Sequence, residues 1–422
     1  MAEASLPLSQ PRRGRPPVRG PLQRQQLMDA VARKINLDGP GSIVLVDIGA
    51  EIGLSRSSVY YYCRDAADLA HQAYLEATTL LAQDLAAARA ASPEPGAQLA
   101  DFIRRVLADN HQPMAVLNDI AFLPEALCID VRMANERNVE ALTNLIEEGQ
   151  TNGEFRKIDA GLSARALLNI LSWALVSLPW LARRGDAQHR AVYVETICNL
   201  FMGGLARPGV RIAPCTLVFD NLMHRSIDAF DRAQTAELKA EQIMAAASRL
   251  FNIRGVDGVT LEQVSSELGA TKGVLYHQFK DKSELIERCY VRAFDIYDRI
   301  MQTSLTAEAD PLSRAMMTAH LNAQAQLSAN APLALQPGYG KFSRDRRIYF
   351  TQRARALAEA SAKNLDKAAE QGLSHKLASI TASEISAGYF LGLQRWSGAE
   401  MNSREIADFV VDLLLYGLRE DP

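Results

Sequence analysis

The chain has 422 residues, 48% hydrophobic and 23% charged, which is enough apolar material for more than one globular core. Lysine and arginine total 46 against 49 acidic residues, a net charge of -3, so a nucleic-acid-facing surface has to be sought in the distribution of charge and not in its sum. The five cysteines (Cys63, Cys128, Cys198, Cys215 and Cys289) form no CxxC pair, which argues against a disulfide framework or a zinc site and fits a reducing, cytoplasmic setting.

Residues 1–21 lack the apolar core of a secretory signal and form instead a basic arm, with Arg12, Arg13, Arg15 and Arg19 and no acid from Pro11 to Arg24. Arg13-Gly14-Arg15-Pro16 has the make-up of an AT-hook, an extended arginine-bearing segment for a narrow A·T-rich minor groove. The other reading is a disordered basic tail that attracts DNA without sequence preference. Both give salt-dependent binding.

From there on, apolar residues recur at helical spacing and no alternating strand pattern persists. A first head, 22–68, is predicted to hold helices near 22–37, 44–52 and 55–61. A first body, 69–206, follows with helices near 66–90, 97–110, 130–150, 159–182 and 187–204. The apolar stretch "ALLNILSWALVSLPWLA" (166–182) is at the short limit for a membrane span and carries Pro179, so it is expected as a buried core helix, with no membrane as partner. "ARPGVRIAP" (206–214) then stops the helical pattern and opens a linker, 207–235, whose Phe219, Leu222, Met223 and Phe230 are expected to pack on something. A second head, 236–284, has helices near 237–253, 260–268 and 271–277. The second body, 285–422, has helices near 282–305, 310–328, 343–371, 376–396 and 403–419.

The two halves are related. A shift of 216 positions aligns Met28–Tyr74 with Met244–Tyr290 without a gap, with identities including Arg33/Arg249, Asn36/Asn252, Gly39/Gly255, Gly53/Gly269, Tyr60/Tyr276 and Asp65/Asp281. A shift of 213 sets "CNLFMGGL" (198–205) over "VDLLLYGL" (411–418).

In "LEQVSSELGATKGVLYHQFKDKSEL" (261–285), Thr260 and Gln263 form a capping box, Gly269 supplies a left-handed turn, and Asp281 with Glu284 caps the next helix. Two short helices joined by a tight glycine turn make a helix-turn-helix, whose second helix enters the major groove. Its solvent side carries Thr271, Lys272, Gly273, Tyr276 and His277. Thr271 and Lys272 suit phosphates, Gly273 allows close approach, Tyr276 can bond a phosphate, and His277 or Gln278 can reach a base edge. Lys282 is placed for a further phosphate.

This run, with the preceding "IMAAASRLFNIRGVDGV", resembles the tetracycline-repressor (TetR) family of transcription regulators almost position by position. With the repeat and the helical periodicity, an all-α fold of two tandem units is expected; the resemblance implies that each is a three-helix head on a helical body that binds a small effector and dimerises through its last two helices. The first head departs from the pattern: Cys63 stands for Phe279, Ala66 for Lys282, and Val44 for the capping Thr260. It keeps Ser55 as a cap and offers Arg56, Ser57, Tyr60 and Tyr61 to DNA, while Tyr62 is expected in the core. A working but divergent head is the expectation, against a head that has lost DNA binding.

The terminal helix pairs 162–181 with 192–205 and 380–396 with 406–418 are expected to form an internal four-helix interface, an intramolecular pseudo-dimer on an asymmetric double-stranded operator. Two chains associating further would present four heads. Candidate effector contacts are His111, Met114, Phe122, Trp173 and Trp180 in the first body and His320, Tyr339, Phe342, Tyr389 and Trp396 in the second, suiting a small apolar or aromatic molecule. No GxSxG, P-loop or HExxH occurs, so no catalytic, metal or cofactor site is expected. Two alternatives stay open: a regulator in which only the second head meets DNA and the first unit is an interaction or ligand-sensing module, and an activator in place of a repressor.

Overall fold

The computed structural model of this chain describes residues 20–181, 187–224, 231–334, 341–395 and 402–419. The first head consists of α1 (Gly20–Asp38), α2 (Leu45–Glu51) and α3 (Arg56–Val59). It is followed by α4 (Ala66–Ala91), α5 (Pro95–Val106), α6 (Glu125–Thr151), α7 (Ala160–Leu181) and α8 (Ala187–Gly203). After a short linker helix, α9 (Phe219–Met223), the order repeats. The second head is α10 (Arg232–Arg254), α11 (Leu261–Glu267) and α12 (Lys272–Gln278), and its body is α13 (Lys282–Thr306), α14 (Pro311–Leu327), α15 (Arg344–Glu370), α16 (Ser379–Phe390) and α17 (Ser403–Tyr416). Among the described residues the only extended pairings are two isolated antiparallel bridges, Phe155–Arg419 and Ala206–Ser374. The fold is all-α.

Where helix boundaries differ from expectation, local chemistry explains it. The helix expected to run to 396 stops at Phe390, because Gly392 takes a left-handed φ of 91° and the chain continues as a 3₁₀ turn, Leu393–Arg395. α6 starts at Glu125, directly after Pro124, instead of near 130, and a 3₁₀ segment, Leu117–Phe122, precedes it. Phe219 of the linker is fully buried against Ile296, Ile300, Leu321 and Ala325, and Gln324 fixes the segment by accepting from Phe219 N (3.0 Å) and donating to Leu217 O (2.9 Å). That packing stabilises the linker by about 2 kcal/mol for the phenyl group alone. Phe230 lies outside the described residues.

One hydrophobic core runs through both bodies, holding Ile170, Leu171 and Ala174 of α7 with Ile385 and Tyr389 of α16, and Phe201 of α8 with Leu413 and Leu414 of α17. α7 crosses α16 at Gly388, where a β-carbon would stand 3.0 Å from Ile170 Cα. Asn169 donates to Gly388 O (2.8 Å) and the Trp173 indole to Glu384 O (2.8 Å). α7 is long and apolar enough to cross a membrane by length and composition (Ala160–Pro179), but more than half of that stretch is buried inside the protein.

At the ends of α8 and α17 the main chains exchange hydrogen bonds reciprocally. Leu205 N donates to Leu414 O (3.0 Å), while Leu418 N donates to Phe201 O (3.1 Å). Ala206 N donates to Leu415 O and Arg419 N to Met202 O, both at 2.8 Å. Each bond joins residues that the 213-position shift relates to the partners in the other. Arg156 N to Leu418 O (2.8 Å) and His375 N to Leu205 O (2.9 Å) repeat the exchange one layer out.

Candidate DNA-reading surfaces and a ligand cavity

In the second head the local hydrogen bonds are those the sequence dictates. Gln263 N donates to Thr260 Oγ1 (3.3 Å) and Thr260 N to Gln263 Oε1 (2.8 Å), which closes the capping box of α11. Gly269 turns the chain with φ 61°, and Glu284 N donates to Asp281 Oδ1 (2.9 Å) to start α13. Leu275 and Phe279 anchor α12 against Phe251, Val264 and Leu285. Thr271, Lys272, Gly273, Tyr276 and His277 are all left exposed on one surface.

The first head repeats the plan with smaller parts. Gly53 turns with φ 72°, Ser55 Oγ accepts from Ser58 N (3.3 Å), and Asp65 Oδ1 accepts from Asp68 N (2.8 Å). Cys63 is buried where the second head has Phe279, and burial together with the charges of Asp68 and Asp65 pushes its thiol up to about 11. α3 sits closely on α2, since a β-carbon on Gly49 would fall 2.4 Å from Val59 Cγ2. Arg56, Ser57, Tyr60 and Tyr61 are exposed, Tyr61 at 83%, whereas Tyr62 is half-buried against the head core. The residues read as DNA contacts on this head are thus all exposed. Arg12, Arg13 and Arg15 of the arm lie outside the described residues.

Two lysines differ from their simplest reading. Lys272 pairs with Glu262 of α11, and that hydrogen bond holds the Glu262 carboxyl down at about 2. The first-head counterparts are Arg56 and Val46, and a valine cannot neutralise the arginine. Lys282 is half-buried, and burial lowers its pKa against the opposing fields of Asp257 and Asp119. It belongs to the junction between heads as much as to a phosphate-facing surface.

No local sequence pattern marks that junction. Gly41 N donates to Asp257 Oδ2 (2.8 Å), Lys341 Nζ donates to both Asp257 oxygens (2.8 and 3.0 Å), and Asp257 N lies 3.4 Å from Asp119 Oδ1. Asp119, in the 3₁₀ segment packed on α10, is fully buried; burial and then the charge of Asp257 push its carboxyl up to about 7.

Each head is also clamped to its own body by an asparagine. Asn36 donates to Met114 O (2.8 Å) and accepts from Val116 N (2.9 Å). Its counterpart Asn252 donates to Pro332 O (2.9 Å) and accepts from Ala334 N (2.8 Å).

The second body holds a cavity of about 160 Å³, and Trp173 and Leu205 of the first body reach its wall. Trp173 lines it together with Phe294, Tyr297, Leu333, Asn322 and Glu384. Burial pushes the Glu384 carboxyl up to about 7, with Arg355 opposing. The void in the first body, beside Met114 and Leu171, is about 40 Å³.

The remaining effector candidates lie elsewhere. His111 bonds Asp84 Oδ2 (2.8 Å) and the main chain of Gln112. Phe122 packs on the first head. His320, fully buried, joins Asp408 Oδ1 and Gln324 Nε2, each at 2.8 Å. Phe342 sits edge-on to Tyr290, and Tyr389 is fully buried in the core that joins the bodies. Tyr339, Trp396 and the side chain of Trp180 lie outside the described residues.

The family description "Bacterial regulatory proteins, tetR family" matches residues 243–289, and "Tetracyclin repressor-like, C-terminal domain" matches residues 92–205. The chain belongs to the tetR family of bacterial regulatory proteins.

Among curated proteins it is 37% identical over 73 residues to the HTH-type transcriptional regulator YxaF of Bacillus subtilis, covering 17% of this chain and 38% of that one. It is 32% identical over 80 residues to the HTH-type transcriptional regulator TtgR of Pseudomonas putida, covering 19% and 38%. The chain thus spans about two fifths of the length of these tetR relatives. Among solved structures, the TetR regulator PfmR of Thermus thermophilus superposes with a TM-score of 0.36 at 23% identity, covering 42% of this chain and 99% of that one. AibR in complex with isovaleryl coenzyme A and operator DNA gives 0.35 at 17% identity, covering 43% and 99%.

Proposed function

We propose that this tetR-family chain is a sequence-specific DNA-binding transcriptional regulator, an effector-responsive repressor, whose two unlike heads act as the halves of an intramolecular pseudo-dimer on an asymmetric operator. The observation that carries the pseudo-dimer is the reciprocal exchange of main-chain hydrogen bonds between the ends of α8 and α17. A two-fold relation between two copies of one unit produces such pairs, because whatever one copy donates the other returns. The family matches favour two units as well: the C-terminal-domain match precedes the head match along the chain, an order that a single head-then-body unit cannot give.

Exposed basic and tyrosine side chains on α3, on the turn that follows it and on α12 support major-groove reading by both heads, with phosphate contacts from Lys272, Arg56 and the tyrosines. The cavity offers the effector site. Leu333, in its wall, lies between Pro332 and Ala334, the two residues that Asn252 clamps, so a ligand that moves this loop moves the second head. Among the described residues the cavity of about 160 Å³ in the second body compares with a void of about 40 Å³ beside Met114 and Leu171 in the first, which makes one effector per chain the expected stoichiometry.

A second reading, in which only the second head meets DNA, is favoured by the head match falling on 243–289 alone. Binding assays with Arg56→Ala and Tyr60→Ala on the selected operator separate the two: loss of affinity supports two working heads, and unchanged affinity supports one.

A further inference from the structure

We propose that the cavity of the second body recognises a small apolar molecule bearing a protonated amine, with Glu384 as the partner of its ammonium group. This rests on reading the cavity as the effector site. The wall is aromatic and aliphatic, with Trp173, Phe294, Tyr297 and Phe390 among its members, and its volume of about 160 Å³ suits one aromatic ring; an engineered apolar cavity of about 150 Å³ takes up benzene.

Its polar atoms are one-sided. The hydroxyls of Thr318, Ser383 and Ser386 donate to the main-chain oxygens of Arg314, Ser379 and Ser383, and the Asn322 amide donates to Thr318 O (2.9 Å). Two acceptors are left over: Glu384 Oε2 and Asn322 Oδ1 are buried and have no hydrogen-bond partner among the described residues. A buried carboxylate oxygen without a partner is costly. The cavity therefore asks for hydrogen-bond donors and positive charge. A hydrocarbon fills the space but leaves both acceptors unpaired, and a carboxylate ligand adds repulsion. An ammonium supplies the missing donor and pairs with ionised Glu384, and any proton that the carboxyl gives up on binding passes to solvent.

The test is calorimetric titration of the full-length protein at pH 8 with three matched probes: 2-phenylethylamine, its hydrocarbon isostere propylbenzene, and 3-phenylpropanoate. We expect the amine to bind about tenfold or more tightly than propylbenzene, the strength of a charge-assisted bond, with phenylpropanoate weakest. In Glu384→Gln the preference for the amine should vanish while propylbenzene affinity is kept. The wild-type comparison decides even if that variant does not fold. Propylbenzene binding as well as the amine overturns the inference and leaves the effector site standing. Binding by none of the three overturns both.

Discussion

Gly41 and Asp257 occupy the same position in the two halves of the chain, and they touch: the Gly41 amide donates to Asp257 Oδ2 at 2.8 Å. Equivalent positions meet in this way where an approximate two-fold axis passes between them. In the bodies, the Leu205–Leu414 and Leu418–Phe201 bonds form a reciprocal pair under the repeat. A junction at the heads fixes their spacing, which two heads on free-standing bodies would have to find by motion.

Asp257→Ala leaves the Gly41 amide without its acceptor and Lys341 without its carboxylate. The expected cost is about 1–2 kcal/mol of stability. With the heads no longer tied, operators whose half-sites are moved apart by one or two base pairs should bind nearly as well as the native spacing. Electrophoretic mobility shifts on a spacing series measure this.

Gly273 separates folding from recognition. A β-carbon there would meet nothing in the protein nearer than Thr271 Oγ1 at 3.8 Å, so the fold gains nothing from a glycine in α12. Gly273→Ala should stabilise the second head by up to about 1 kcal/mol. If the missing side chain serves close approach to DNA, the same variant binds its half-site more weakly. Thermal melts and operator titrations on one preparation check both signs.

The tie between the first and fourth helices of each half has opposite polarity in the two halves. Arg24 of α1 pairs with exposed-side Glu76 of α4 (3.4 Å), whereas Arg292 of α13, 4% exposed, pairs with Glu241 of α10 and donates to Ala331 O (2.9 Å) and Asn330 O (3.0 Å). The Arg292 guanidinium is buried while Glu241 is partly exposed, so it is Glu241→Ala that strands a buried charge and should cost about 3 kcal/mol. Glu76→Ala, at a solvent-exposed pair, should cost under about 1 kcal/mol. Urea unfolding midpoints compare the variants directly.

Asp119 gives the stability a pH slope of known sign. Its folded carboxyl titrates near 7, raised by burial and by Asp257, whereas the unfolded chain releases that proton near the ordinary value of about 3.9. Between these values the folded state holds a proton that the unfolded state has lost, so stability falls as pH rises from about 4 to 7 and levels off above. Asp119→Asn should remove that part of the slope and raise the melting temperature at pH 8 more than at pH 5. Melts at the two pH values test it.

The helices, heads and repeat were legible because their determinants are local. The capping pair Thr260/Gln263 and the turn glycines Gly53 and Gly269 act within a few residues, and their spacing recurs in both halves. Of the candidate DNA-facing residues, what was legible was exposure, which follows from the helix face at Tyr276, Lys272 and Arg56. Lys282 reads as a phosphate ligand by position, yet the field it meets comes from Asp257 and Asp119, which contact order and not periodicity brings to it. The cavity was hidden for the same reason. Trp173 is among the effector candidates, but Glu384 and Asn322 sit on helices whose pattern announces only burial, and the cavity they line forms where α7 lies across α16. Cys63 for Phe279 was visible as a smaller anchor; that Gly49 lets α3 settle closer was not.

The most direct measurement is selection of bound sequences from random duplex DNA by the purified chain, repeated with Arg56 and Tyr60 changed to alanine and with Lys272 and Tyr276 changed to alanine. The account predicts one asymmetric site per chain, with each double variant losing a different half of it. A palindrome bound by two chains, and unchanged when Arg56 and Tyr60 are replaced, would contradict it.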